Sequence, residues 1–522
     1  MRWWLLIVLG CSPPADDPIP GEIFRPGPAL GPTAPRAGVD ALVCDGEGPL
    51  RWTHDGAEVS VDGGEVLPWE LTPGTWACED DHGRTEVQVR AVGGNLVVVL
   101  LDDIGIDKIG HYGTEAVSTP PTPTLDRLAA RGVRFETAYA TPVCSPSRAA
   151  LLTGKQPTRT GVGGLVTTNS RANFLEGHQT FASLLRDGGY DTSVAGKWHL
   201  TGNDLSLLDH PERNGFAWYR GTRNNPAVST DRTLTDKGYF FWEENDNGSL
   251  RTREGYLTTA TIDDAIARID AMPEPWLLYV PLNGAHIPLH EPPLPLLSDS
   301  TQPPYPDDLH LFEAMVDATD HELGRLVDAL DDRDLSGRTT LIMMGDNGTQ
   351  DHGMRPPLDP YRSKGTVAEG GVRVPLVVTG PLVEEPGAVS DALVHLTDVF
   401  ATARDLAGLV DDGAGRDSVS LLPYLADPTR PSRRTHLYTE GFEPNDGEGD
   451  RVSHRRTLRD QRFKVRDSSN LDAPELYRIG PGLSEGDPIL DPTEEEAEAL
   501  ERLLAALEAQ LSAMDDGLDA PL

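Results

Sequence analysis

Several short stretches of this 522-residue chain join residue types that can do chemistry together. Cys144-Ser145-Pro146-Ser147-Arg148 follows Thr141-Pro142 and runs on through Leu151 and Leu152 to Thr153-Gly154. Pro146 biases Ser145 toward extended backbone and suits the first turn of a helix. Cys144 is therefore expected at a helix entrance, where unpaired N–H groups would stabilise an anion. Asp102-Asp103 and Asp346-Asn347-Gly348 each end an apolar run, Asn95 to Leu101 and Thr339 to Met344. A lone Asp pair is usually a solvated turn, but strand ends of one parallel sheet converge on one edge, where sites of open α/β proteins form. Three carboxylates and an amide oxygen suit a hard cation, Ca²⁺ with Mg²⁺ as the other choice, and not zinc. Lys197 and His199 stand two positions apart in Gly196-Lys197-Trp198-His199. His286 follows another apolar run in Asn283-Gly284-Ala285-His286-Ile287-Pro288, and Lys364 opens the Gly-rich turn Lys364-Gly365-Thr366-x-x-Glu369-Gly370-Gly371. Each of these alone is more often surface loop than site; what raises the odds is that each follows a strand signal or a turn that brings backbone close to a ligand.

The elements that must position these residues read as strands and helices in alternation. Strand-like runs at Asn95 to Leu101, Asp191 to Ala195, Trp276 to Leu282, Thr339 to Met344 and Val374 to Val378 are interleaved with helical patterns at Pro123 to Arg131 (Thr122 as cap, Gly132 as stop), Thr180 to Asp187 and Leu309 to Leu330. This predicts an α/β fold, a mixed and mostly parallel sheet covered by helices on both faces, over residues 94–413. From 414 to 522 short strands (His436 to Tyr438, Arg456 to Leu458, Arg462 to Val465) and an acidic helix from Thr493 to Met514 predict a smaller C-terminal α+β subdomain.

The N-terminal fifth is of another kind. Arg2 and the apolar run Trp3 to Leu9 are too short to span a bilayer and suit an export signal over residues 1–10. Val8-Leu9-Gly10-Cys11 resembles a bacterial lipoprotein cleavage site, which implies that Cys11 carries a lipid anchor; an ordinary signal peptide with a chance cysteine is the other reading. Residues 11–36, rich in Pro and Gly, read as an extended tether, and 37–92 as a small all-β module with Asp-Gly and Gly-Gly turns. Cys44, Trp52, Trp76 and Cys78 give this module a resemblance to an immunoglobulin-like sandwich, which implies a Cys44–Cys78 disulfide suited to an exported protein. A spacer is the expected role. With 83 acidic against 45 basic residues the formal charge is −38, which opposes binding to nucleic acid or to an anionic membrane, so that contact with a membrane is expected through the lipid anchor only. An anionic substrate must then be drawn in by a local cluster of cations.

Cys144-x-Pro146-Ser147-Arg148 with Leu151-x-Thr153-Gly154 resembles the signature of the type I sulfatases, of the alkaline phosphatase superfamily, and the similarity extends from about Asn95 to Gly380. The resemblance implies that a formylglycine-generating enzyme oxidises Cys144 to Cα-formylglycine, an aldehyde whose gem-diol attacks a sulfate monoester to release an alcohol and sulfate. It implies that Asp102, Asp103, Asp346 and Asn347 bind the divalent ion, and that Arg148, Lys197, His199, His286 and Lys364 surround nucleophile and sulfate. His286-x-Pro288 is followed by Leu289 where relatives often carry an aromatic or histidine, so the leaving-group pocket is expected to differ. The expected protein is an exported sulfatase, a periplasmic or cell-surface bacterial lipoprotein. Two other functions fit the same residues: a phosphatase or phosphonate monoester hydrolase on this scaffold, and a surface lipoprotein that binds sulfated glycans without turnover.

Overall fold

Every side chain of the Asn95–Leu101 strand is buried, and the fold is organised around it. Successive strand residues point to opposite faces, so Leu96, Val98 and Leu100 enter one core while Val97, Val99 and Leu101 enter another. Helices Cys144–Thr153, Phe181–Asp187 and Asp398–Leu406 cover the first face. Pro123–Arg131, Leu257–Ala271 and Asp308–Asp332 cover the second. This computed structural model describes residues 93–515 except 114–117, 171–172, 227–237 and 411–412, together with short strands between Ile7–Leu9 and Gly83–Val89.

The large sheet has ten strands, ordered Ser249–Glu254, Phe241–Asp246, Trp218–Gly221, Asp191–Ala195, Trp276–Pro281, Asn95–Leu101, Thr339–Gly345, Leu376–Thr379, Val133–Tyr139 and Ala388–His395. Its middle four are parallel, with Leu96 flanked by Leu277 and Thr340. The apolar run expected at Val374 to Val378 forms Leu376–Thr379, which lies antiparallel to both its neighbours. Chain direction cannot be read from an apolar run buried on both faces, since periodicity is the same either way.

Helix Phe181–Asp187 starts on a reciprocal capping box in which Thr180 and Ser183 each accept the other's backbone N–H at 3.0 Å. The expected cap at Thr122 is corrected: its side chain makes no capping bond. Asp320, on the neighbouring helix, instead accepts from the Thr124 and Leu125 N–H groups at 2.9 Å each. A tertiary carboxylate thus does the work of a local one.

The C-terminal region is a four-stranded antiparallel sheet, Leu437–Glu443, Ser453–Arg459, Phe463–Ser468 and Glu475–Arg478, with helix Glu494–Asp515 packing Ala499, Leu503 and Leu507 against it. A buried charge cluster ties this sheet to the large one. Glu369 accepts from Lys464 Nζ at 3.0 Å, Arg459 Nη1 at 3.1 Å and the Tyr139 hydroxyl, and Arg373 lies 3.8 Å away. Near the N-terminus, Ala57–Val59, Arg51–His54, Gly74–Asp80 and Gly83–Val89 form an antiparallel sheet in that order, with the rings of Trp52 and Trp76 edge to face at 6.5 Å. Cys11, the tether and the side chains of Cys44 and Cys78 lie outside the described residues. Among the described residues no helix is long and apolar enough to cross a membrane.

Candidate active site

Because the middle four strands are parallel and adjacent, their carboxyl ends deliver side chains in a row. Lys197 and His199 follow Asp191–Ala195, His286 follows Trp276–Pro281, Asp102 and Asp103 follow Asn95–Leu101, and Asp346 and Asn347 follow Thr339–Gly345. Cys144 is the first residue of the helix after Val133–Tyr139, behind an extended Val143, and all ten residues of that helix are buried. Lys364 arrives on a loop held by two main-chain bonds: Lys364 N donates to Thr349 O at 2.9 Å and Gly365 N to Pro142 O at 2.8 Å. One bond leads to the Asp346 turn and the other to the Cys144 helix.

Two glycines allow these turns to close. Gly196 has φ +133°, and a Cβ there would lie 2.1 Å from Pro281 O, the carbonyl that accepts from Lys197 N. A Cβ on Gly348 would lie 1.9 Å from Gly370 O. Asp103 and His199 take up left-handed backbone at φ +62° and +58°, a strained choice for side-chain-bearing residues that clusters at functional sites.

The structure brings the ten expected site residues together. Cys144 Sγ lies 3.5 Å from Asp102 Oδ1 and 3.3 Å from Lys364 Nζ. Arg148 donates to Lys197 O at 2.8 Å, to Asp346 Oδ2 at 3.0 Å and to Asp102 Oδ2 at 3.4 Å. Lys197 pairs with Asp102 Oδ2, and Lys364 with Asp103 Oδ1 at 2.5 Å. Asp103 Oδ1 also accepts from Asn347 Nδ2 at 2.8 Å, and Asp346 Oδ1 from Asp103 N at 3.2 Å. His286 Nδ1 lies 2.7 Å from Ile287 O; a carbonyl only accepts, so Nδ1 carries the proton and Nε2, 3.8 Å from Asp103 Oδ2, is the bare nitrogen. His199 is buried, with Nδ1 unpartnered among the described residues.

Burial and charge compete at every group. Burial would raise the Asp102 carboxyl, but Lys197, His286, Arg148 and Lys364 hold it well below the usual carboxylate range. Burial and the Asp102 charge push Asp346 up. Burial pushes the Cys144 thiol well above its ordinary value, with Asp346 adding to it and Lys197 and Lys364 opposing. Burial lowers His286 to about 4 against the pull of Asp103, and burial together with Lys197 lowers His199 well below its normal value.

Asp102, Asp103, Cys144 and His286 offer ligand atoms within 4.8 Å of one another. Asp103 Oδ2 and Asn347 Oδ1 are buried without hydrogen-bond partners among the described residues, and a buried unpaired oxygen is a costly feature unless something satisfies it. Hard oxygen atoms left open amid carboxylates fit a divalent cation. Two supporting roles were not legible in the sequence. Tyr239 donates to Asn283 O and, at 2.8 Å, to His286 O, which holds the His286 turn; an isolated tyrosine gives no sign of this. Glu369 stood inside a recognised Gly-rich motif, but its partners are distant in sequence.

The Sulfatase family model matches residues 94–409. N-acetylgalactosamine-6-sulfatase of Sus scrofa is 32% identical over 363 residues, 63% of this chain and 66% of that protein. Arylsulfatase J of Mus musculus is 30% identical over 350 residues, 65% of this chain and 57% of that protein. The chain therefore spans less than two thirds of the length of these relatives. Among solved structures, that of Ps i-CgsB in complex with k-i-k-neocarrahexaose superposes with a TM-score of 0.66 at 24% identity, covering 80% of this chain and 92% of that one, a likeness of fold. The match over 94–409, which takes in all ten residues of the cluster, shows that the chain belongs to the sulfatase family.

Proposed function

We propose that this chain hydrolyses a sulfate monoester to an alcohol and inorganic sulfate. One observation carries the reading: Cys144 heads a buried helix between Lys364 at 3.3 Å and Asp102 at 3.5 Å, beside the oxygens that fit a hard cation. Formylglycine at position 144 supplies the oxygen nucleophile, and a divalent cation, Ca²⁺ or Mg²⁺, held by Asp102, Asp103, Asp346 and Asn347 supplies charge neutralisation.

The chain's own residues do the rest. Lys197, Lys364 and Arg148 are cations held by Asp102, Asp103 and Asp346 around Cys144, so they meet charge growing on the sulfuryl oxygens without reorganising. Arg148 also keeps its proton and holds Asp102, Asp346 and the Lys197 backbone in one frame. His286 Nε2, bare at rest, takes up a proton, with the charged Lys364 beside it on Asp103 as the donor, and passes it to the departing alcohol oxygen, and His199 takes the proton from residue 144 that lets sulfate leave. The net reaction is R–O–SO₃⁻ + H₂O → R–OH + SO₄²⁻ + H⁺, with the S–O bond to the alcohol broken and one formed to water's oxygen.

The N-terminal reading of lipid-anchored export, with the small sheet as spacer, accords with the charge-poor start and the tether composition. The family names of relatives point to a sulfated amino sugar in one case and an aryl sulfate in another. Phosphate monoester hydrolysis remains the competing reaction, because cation cage and nucleophile suit either tetrahedral anion. The test has two parts. Mass spectrometry of the tryptic peptide holding residue 144, from protein made with a formylglycine-generating enzyme, should show aldehyde in place of thiol. Turnover of an aryl sulfate should exceed that of the matching aryl phosphate and vanish in Cys144→Ala; dominant phosphate turnover, or an undiminished variant, refutes the reading.

A further inference from the structure

Thr349 stands two residues past Asn347 and is fully buried. Its hydroxyl joins the two turns that carry the candidate cation ligands. Gly105 N, two residues past Asp103, donates to Thr349 Oγ1 at 3.0 Å, and Thr349 Oγ1 donates to Asp107 Oδ1 at 2.6 Å. A carboxylate only accepts, so the hydroxyl proton points to Asp107 and an oxygen lone pair is left facing the Gly105 N–H. The hydroxyl therefore has one orientation. The Thr349 carbonyl accepts from Lys364 N at 2.9 Å, so a single residue fastens both turns and the loop that brings Lys364 to Cys144.

The surroundings hold this junction in place. Asp107 and Lys108 are both fully buried. Lys108 Nζ lies 3.4 Å from Asp107 Oδ2 and 3.6 Å from Glu313 Oε1, and Glu313 Oε2 accepts from Arg355 Nη2 at 2.6 Å. A Cβ on Gly105 would lie 2.8 Å from Asp107 Oδ1 and 2.9 Å from Thr349 Oγ1, so no side chain fits between the partners. Buried ion pairs contribute little net stability, because desolvation offsets their attraction. What this one supplies is a fixed acceptor for a single hydroxyl. The side-chain bonds between the two turns, Asp103 N to Asp346 Oδ1 and Asn347 Nδ2 to Asp103 Oδ1, run through groups that would hold the cation. The bonds from Gly105 to Thr349 and from Thr349 to Asp107 use none of those atoms.

We propose that Asp107 and Thr349 are positioning residues of the site: they set the Asp102-Asp103 turn against the Asp346-Asn347 turn, and both against Lys364, so that the ligands stand ready for the cation. The inference rests on the cation and sulfate-ester reading above. Groups behind metal ligands orient them, and losing one typically lowers metal affinity or activity about 10–100-fold. The Thr349 hydroxyl acts through the backbone of the turns and not on the substrate.

The test uses the full chain with residue 144 oxidised and treated with chelator. Ca²⁺ and Mg²⁺ are titrated in by calorimetry, and turnover of 4-methylumbelliferyl sulfate is measured at saturating cation. Thr349→Val keeps the shape and loses the hydroxyl. It should weaken affinity for the better-bound cation by about tenfold or more, and lower kcat/KM by about tenfold or more. Thr349→Ala, which leaves room for a water, serves in its place if the valine variant does not fold, with the same direction of change. Thr349→Ser keeps the hydroxyl and should stay close to wild type. Calorimetric stoichiometry counts the folded molecules, so unfolding lowers the stoichiometry while misplaced ligands lower the affinity. Asp320→Ala, which removes the cap of helix Pro123–Arg131, controls for lost stability and should leave the affinity unchanged. A hydroxyl-free variant with wild-type affinity, a serine variant as weak as the valine one, or an equal loss in Asp320→Ala overturns the positioning role and leaves the reaction standing. A wild type that binds neither cation, or cleaves no sulfate ester, overturns the reading on which the inference rests and the inference with it.

Discussion

Replacing Glu369 by glutamine removes one negative charge from a place where water cannot compensate. The carboxylate is fully buried and faces Lys464 at 3.0 Å, Arg459 at 3.1 Å and Arg373 at 3.8 Å. At an effective dielectric of about 20, a unit pair at that first separation carries roughly 5 kcal/mol of gross attraction, most of it offset by desolvation. The substitution exposes the other side of that balance: three cations stay buried, facing a neutral amide of the same shape, with Glu485 beside Lys464 and Glu136 beside Arg373 as the remaining anions. Leaving a buried partner uncompensated costs about 3–5 kcal/mol, and no cavity is created that would confuse the measurement. The pH dependence has a definite sign. Burial would raise the Glu369 carboxyl, but Lys464, Arg459 and Arg373 hold it well below its ordinary 4.5. Its contribution is thus fully present above pH 4.5 and is lost as the pH falls below that value. Urea unfolding of wild type and Glu369→Gln, followed by tryptophan fluorescence from pH 7 to pH 3, should show a constant gap that closes only at the acid end. Adding Lys464→Met to the variant should recover part of the loss. A gap below about 1 kcal/mol at neutral pH, or one that widens as pH falls, would refute the reasoning.

Other outcomes follow from particular contacts. Gly348→Ala places a Cβ 1.9 Å from Gly370 O and should displace the Asp346-Asn347 turn, lowering kcat/KM by more than about tenfold with unchanged far-UV circular dichroism. Asp320→Ala removes the two bonds that start helix Pro123–Arg131; it should lower stability by about 1–2 kcal/mol and speed hydrogen exchange at Thr124 and Leu125, and unaltered exchange there would show the cap to be idle. Asp103→Ala should weaken Ca²⁺ binding by at least about tenfold in calorimetry, and chelation should remove the turnover of wild type in a way that added Ca²⁺ or Mg²⁺ restores.

What could be read from the sequence was the chemistry that strands export to their ends. Asp102-Asp103 and Asp346-Asn347 announce themselves because an apolar run stops abruptly at a polar group, and Cys144-x-Pro146 marks a helix entrance through the constraints proline places on its neighbours. Lys197, His199, His286 and Lys364 were legible by the same logic, aided by family resemblance. What escaped depends on distance. The direction of Leu376–Thr379 depends on where its neighbours lie. The cap at Thr124 comes from Asp320, nearly two hundred positions on, and Glu369 finds Lys464 and Arg459 in another sheet.

The burial of Cys144 sets an order of events. No part of its side chain reaches the surface, and every residue of its helix is enclosed. A second protein cannot grip a thiol so placed without first taking the domain apart. Any enzyme that oxidises Cys144 must therefore meet it while the chain is still unfolded, and folding closes the opportunity. The chemical state of residue 144 is in that sense a record of the molecule's early history: a copy that folded first keeps its thiol, and only unfolding would give it another chance.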